Sequence, residues 1–362
     1  MRKILPLLLM LAILSCGCTS PWQETRPIRE LRIVETLGCD RKDDGVTLSA
    51  YAAQPELKLR QTAPSIRLAM DQMRNQAASP ALFFAHTEFL LLGQALAEDG
   101  LAPVLDLVGR SQDMRLHTPI FILYGGDAAD AVELGEDEQN ITQMLAALRE
   151  DTDGQGACHA FSCGEILRAL SERGAALAAA CTIDGEHLKP HGYAILKAGV
   201  CVGWVSAPAD QAVGLLMGLR ERGDVRVKNT TLTLENCKAK ITPRWNGDTL
   251  AGLDIALSLR AALTETAGQP GTTQAETRAE LEKALAETVA AWVETLLRQS
   301  QALEADFLGL GGGIAAQSPG KWAGIQAEWN AIFPTLPWRV TVAATLDRTQ
   351  DLEEPLNLGG TP

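Results

Sequence analysis

Long apolar runs are what this 362-residue chain has least of. Beyond its first eighteen residues, no stretch approaches the ~18 apolar residues that a membrane-spanning helix needs. The longest candidates, Phe89–Ala97 and Ala175–Cys181, stop well short of that length. Aromatics are scarce at 5%, and the five histidines (His86, His117, His159, His187, His191) show no helical pairing. There is no G-x-S-x-G elbow, no H-E-x-x-H and no G-K-[ST] phosphate loop, which speaks against a lipase-type hydrolase, a zinc protease and a P-loop nucleotidase. Basic residues are also in deficit, with 32 Lys and Arg against 45 Asp and Glu, for a formal charge of −13. An acidic body is a poor match for nucleic acid, whose affinity for proteins comes mainly from Lys and Arg. It is equally unsuited overall to laying a broad basic face on anionic lipid.

Cysteine is present without order. Apart from Cys16 and Cys18, the positions are Cys39, Cys158, Cys163, Cys181, Cys201 and Cys237, and a chain this large needs no disulfide framework. Cys158 and Cys163 with His187 and His191 could be drawn as a zinc site, but structural sites carry tighter spacings. A local Cys158–Cys163 disulfide and plain core thiols remain open alternatives. Gly309-Leu-Gly311-Gly-Gly313 falls after a long helix rather than after a strand, and Ile314 stands where a dinucleotide fingerprint needs its third glycine. It reads as a flexible helix-to-loop junction. His86 interrupts an apolar segment close to Glu88 and reads as a satisfied structural histidine. The pairs Asp43/Asp44 and Asp137/Glu138 read as solvated turn charge. No catalytic residue, metal ligand or cofactor-binding residue is assigned, and the chain is expected not to be an enzyme.

What the sequence does have is its beginning, MRKILPLLLMLAILSCGC. Arg2 and Lys3 precede an apolar run from Ile4 to Leu14, which spans only ~16 Å as a helix and cannot cross a hydrocarbon core ~30 Å thick. This is the pattern of a secretory signal. Cys16, with Ser15 before it, resembles the bacterial lipobox cysteine that takes a diacylglycerol; Cys18, after Gly17, is the alternative. Cleavage after residue 15 removes two basic residues and no acid, taking the charge from −13 to −15.

The remainder reads as α+β, organised as three mixed α/β domains behind the lipoprotein signal peptide (1–15). A tether and an N-terminal hairpin occupy 16–60, as a first domain completed by 185–206. Asp44-Gly45 between two alternating runs supplies the hairpin turn. A second α/β domain covers 61–184, including a helix over 164–178, and a C-terminal α/β domain covers 207–346. The best-defined helix, 274–303, opens on a Thr273-x-x-Glu276 capping box and carries the stripe Leu281, Leu285, Val289, Trp292, Leu296 and Leu303. Residues 347–362 read as a disordered tail.

Segments in this order resemble the Ger(x)C spore germination proteins. Arg29-Glu-Leu-Arg-Ile-Val34 and Leu37-Gly-Cys-Asp40 are similar to the family's start. Phe84-Ala-His86, Gly93-Gln-Ala-Leu-Ala97, Gly100, Leu105-Asp106 and Arg110 to Arg115 are similar to its next block. Gly192-Tyr-Ala-Ile-Leu-Lys197, Val202-Gly-Trp204 and Lys240-Ile-Thr-Pro243 continue the likeness. Ala305-Asp-Phe-Leu-Gly-Leu310, Pro319, Trp322 and Trp329-Asn-Ala-Ile-Phe-Pro334 resemble its close. Departures are Cys39 for Ile or Val, Ser111 for Asp, Gln94 for Glu, and an aromatic displaced to Trp22. The resemblance implies three mixed α/β domains, no catalytic role, and membership of a nutrient germinant receptor with multi-spanning A and B subunits. It implies a lipid-anchored position on the outer face of the inner spore membrane, with a part in assembly or signalling. A ligand-binding lipoprotein capturing a small nutrient outside the membrane is the alternative.

Overall fold

The computed structural model describes residues 31–53, 56–77, 81–111, 113–135, 139–150, 159–219, 222–266 and 274–347. Cys16, Cys18, Trp22, Cys158, Asp137, Glu138 and Thr273 lie outside the described residues, as does all of the expected tail except Asp347.

The fold is α+β, and its larger sheet begins where the hairpin was expected. Strand β1 (Leu31–Ile33) runs parallel to β5 (Ala81–Phe83) in a small separate sheet. Strands β2 (Thr36–Lys42) and β3 (Gly45–Ala53) pair antiparallel with Lys42 opposite Gly45, and β4 (Glu56–Ala63) pairs on β3. Helix α1 (Ile66–Ala77) buries Met70 and Met73. The apolar run after it breaks at His86-Thr-Glu88 into β5 and β6 (Phe89–Gly93). Short helices α2 (Gln94–Asp99) and α3 (Ala102–Arg110) lead to β7 (Ile120–Leu123). Then come α4 (Ala128–Val132), α5 (Ile141–Arg149), α6 (Cys163–Arg173) and the strands β8 (Ala175–Asp184), β9 (His187–Lys197) and β10 (Val200–Val205).

Eight of these strands form one sheet, ordered β10-β9-β8-β7-β6-β2-β3-β4. Its middle four, β8, β7, β6 and β2, are mutually parallel, and antiparallel hairpins flank them. The parallel strands are buried along nearly their whole length, as strands packed on both faces must be. Two expectations change here. The boundary placed at 60/61 falls inside this sheet, and residues 185–206 pair at the end opposite to β2, β3 and β4. A sheet assembled from strands distant in sequence leaves no break in composition at such a boundary. The helix expected over 164–178 also ends sooner, at Arg173: Gly174 takes a left-handed conformation (φ 69°), and Ala175 to Cys181 turn into a buried strand. Alanine favours helices, but Ala179 to Cys181 pair in parallel register with Phe121 to Leu123 of β7, which holds this run extended.

The C-terminal part begins with α7 (Asp210–Met217), ended by left-handed Gly218, and builds a second sheet. Strands β11 (Gly223–Val227), β12 (Thr230–Asn246), β13 (Thr249–Thr266) and β14 (Trp338–Leu346) lie in sequence order, with β14 parallel to β13. The crossover between them is the long helix α8 (Gln274–Ala302), then α9 (Leu310–Gln317), α10 (Pro319–Ile325) and α11 (Trp329–Ile332). Leu285, Val289 and Leu296 of the expected stripe are fully buried, joined by Val293 and Leu297. The core-facing residues of β13 (Leu253, Ile255, Leu257 and Leu259) alternate with outward residues.

Candidate functional site

Open α/β sheets take ligands beyond the carboxyl ends of their parallel strands, where the strand order reverses. In this chain that place lies between β2 and β6, and the protein's own side chains fill it. Asp40, near the end of β2 and 2% exposed, accepts the backbone N–H groups of Ala128 (2.6 Å) and Ala129 (2.9 Å). It thereby stands where a bound anion would meet the start of α4. Gly93, ending β6, leaves the room for it: a Cβ there would lie 2.2 Å from the Asp40 carboxylate. Gln94 closes the rest, accepting from Gly125 N–H at 2.7 Å and donating to Glu98 at 2.7 Å. Arg41 pairs with Asp99 at 3.2 Å over the top. Burial raises the Asp40 pKa to about 6, against the lowering effect of the two helix amides.

A second buried carboxylate organises the junction of the two parts. Asp306 is 5% exposed and accepts Leu310 N–H and Gly311 N–H, each at 2.8 Å, and the Trp329 indole N–H at 3.1 Å. Burial raises its pKa, with Arg173 of α6 acting the other way. The glycines of 309–313 are therefore an ordered helix start and not a flexible junction. Gly309 is left-handed (φ 74°) and packed so closely that a Cβ would lie 2.4 Å from Arg173 Nη1. A Cβ on Gly311 would lie 2.8 Å from both Trp322 and Trp329. Beside this, Lys197 of β9 donates to Leu303 C=O (3.0 Å) and Gln299 of α8 donates to Trp204 C=O (2.8 Å), so α8 covers edge strand β10.

Next to that edge sits an aromatic trio. Tyr124 stacks on His191 at 3.8 Å and 12°, and Trp204 meets Tyr124 edge-on at 5.0 Å. Burial lowers the His191 pKa. Tyr124 keeps 38% of its surface exposed.

The other residues singled out from the sequence do not gather. His86 lies 2.9 Å from Arg115, not against Glu88. Cys163 is a buried thiol whose pKa burial raises to about 12, while His187 sits at an exposed turn end and His191 in the aromatic trio. Among the described residues no group of three or more His, Cys, Asp or Glu could hold a metal ion. The expected lipidation residues, Cys16 and Cys18, lie outside the described residues. Asp40 and Asp306 were in view only as parts of matching segments, because their partners Ala128, Ala129 and Trp329 are remote in sequence. Arg173 and Tyr124 had no local signal at all, and His191 and Trp204 were in view only separately, with nothing to bring them together.

The Asp40 site makes a pH prediction. Its folded pKa, about 6, lies above the ordinary carboxylate value of 3.8, so ionising it in place is penalised. The associated stability is complete below about pH 4 and is lost as pH rises through about 6, on the order of 3 kcal/mol in all. Urea unfolding across that range should therefore show the difference between wild type and Asp40→Asn changing with pH. A constant difference would remove the assignment.

Comparison with known proteins divides the chain between residues 183 and 191, within the first sheet, so that most of β9 and all of β10 fall in the second match. Residues 24–183 match a family model described as the spore germination protein N-terminal domain. Residues 191–350 match one described as spore germination B3/GerAC like, C-terminal. A solved structure titled "Crystal Structure of the GerBC protein" superposes with a TM-score of 0.61 at 18% identity, covering 86% of this chain and 97% of that one. At that identity the likeness is one of fold. No curated protein sequence matches the chain.

Proposed function

Because the chain belongs to the Ger(x)C family of spore germination proteins, we propose that it is a non-enzymatic, lipid-anchored subunit of a nutrient germinant receptor. In this reading it sits on the outer face of the inner spore membrane beside multi-spanning A and B subunits, and supports assembly or signalling. The observation that carries the non-enzymatic part is the filled crevice. The position where an α/β sheet would take a ligand is occupied by Asp40 and Gln94, each already engaged with backbone amides. No helix among the described residues is long and apolar enough to cross a membrane, so the proposed attachment is the diacylglycerol on Cys16, with Cys18 as the alternative. One anchor raises the effective concentration of the subunit beside its membrane partners without any new contact.

The test is genetic and chemical. Deleting the gene in a sporulating host should impair nutrient-triggered germination; mutant spores that respond normally to every nutrient, in a strain without a redundant receptor, would overturn the role. Mass spectrometry of the mature N-terminal peptide should find a diacylglycerol on Cys16 or Cys18, and an unmodified terminus beyond Thr19 would overturn the anchor. The half-exposed Tyr124, His191 and Trp204 surface favours one rival reading, nutrient capture by this subunit itself. Titration calorimetry with amino acids and sugars should give no heat, and saturable heat that is lost in Tyr124→Ala would establish the rival.

A further inference from the structure

Among the described residues, the C-terminal sheet is covered on one face only. Helix α8 and the segments after it lie against the face bearing Ile255, Leu257, Leu259 and the inward side of β14. On the other face, Lys238, Lys240, Ala256, Ser258, Arg260, Arg339, Thr341, Ala343 and Thr345 are all exposed. Strand register sets them in rows across three strands. Lys238 is followed by Ser258 and Ala343, Lys240 by Ala256 and Thr341, and Thr242 by Asp254 and Arg339.

This face runs against the charge of the molecule, which is −13 overall. Arg244 is neutralised by Asp254 (3.1 Å), and Arg260 by Asp347. Lys238, Lys240 and Arg339 have no ion-pair partner among the described residues; the two lysines stand beside the small side chains Ser258 and Ala256, and Arg339 beside Asp254, which Arg244 already engages. Protein interfaces are built on buried aromatic or aliphatic anchors and are depleted in lysine. This face has no such anchor and is rich in lysine. Those features fit a flat, diffuse layer of phosphate better than a folded partner.

We infer that this exposed sheet face lies on an anionic phospholipid surface and orients the subunit on its membrane. The inference rests on the lipid-anchored reading only for what brings the chain to the bilayer. Three uncompensated cations near an anionic leaflet do not need to capture the protein from solution. They need only to bias how a tethered molecule tilts, by about two orders of magnitude in population.

The experiment is footprinting with a membrane-impermeant amine reagent on the mature lipoprotein, reconstituted in vesicles of phosphatidylcholine with or without phosphatidylglycerol. Labelling of Lys238 and Lys240 should fall about ten-fold only when phosphatidylglycerol is present, with Lys283 on α8 unchanged. Added salt should restore labelling, and Arg339→Glu should weaken the protection. Retention on pure phosphatidylcholine vesicles reports the anchor separately, so its failure is distinguishable. Absence of protection on phosphatidylglycerol vesicles overturns the inference whether or not the anchor holds. Protection that appears only after other receptor subunits are added also overturns it, in favour of a protein partner.

Discussion

A carboxylate buried as deeply as Asp306 is tolerated only if its oxygens are fully engaged, and the junction between the two parts of this chain follows from that requirement. Leaving even one buried donor unpaired costs about 1–3 kcal/mol, and Asp306 satisfies three: two first-turn amides of α9 and the Trp329 indole. To present those amides, the chain must turn sharply at left-handed Gly309 and admit no side chain at Gly311. Arg173 then reaches across from the end of α6 to the same turn. Ser300, at the end of α8, closes the loop by donating to Ala305 C=O at 2.6 Å. One buried charge thus fixes the path between α8 and β14, and sets the first sheet against the second.

Periodicity made the local elements legible and left their assembly hidden. The hairpin at Asp44-Gly45, the break at His86 and the buried stripe of α8 each follow from residues close in sequence. The alanine-rich run after Gly174 misleads, because local propensity is weak where a buried neighbouring strand decides. The merging of residues 36–63 with 175–205 into one sheet could not be read, since β2 meets β6 across some fifty intervening residues. The glycines at 309–313 show the same limit. Their number suggests mobility, but each close approach comes from Arg173, Trp322 or Trp329, none of which is local.

The matching segments acquire a physical meaning from these contacts. Leu37-Gly-Cys-Asp40 carries the carboxylate that fills the crevice, and a Cβ at its glycine would lie 2.3 Å from Ser49 Oγ. Gly93-Gln94 supplies the space and the acceptor beside it. Ala305 to Gly311 supplies the cap at the junction. These residues serve internal contacts within and between the two sheets. Helix α8 lies along the edge of one sheet and across the face of the other, so one element joins the two.

Net charge, for its part, describes a molecule seen from far away, and a membrane does not see it that way. Beyond a Debye length of ~8 Å at physiological ionic strength, acidic residues on the far side of the protein are screened. What a leaflet meets is the nearest face. The sum of −13 therefore excludes a uniformly basic protein and leaves room for one basic face. In the orientation proposed above, an acidic remainder would add to the preference for this face, since acidic faces are repelled by an anionic surface. Were the chain tethered by lipid as proposed, the tether alone would leave it free to rotate, whereas a tether with one attractive face would give any neighbour a defined surface to meet.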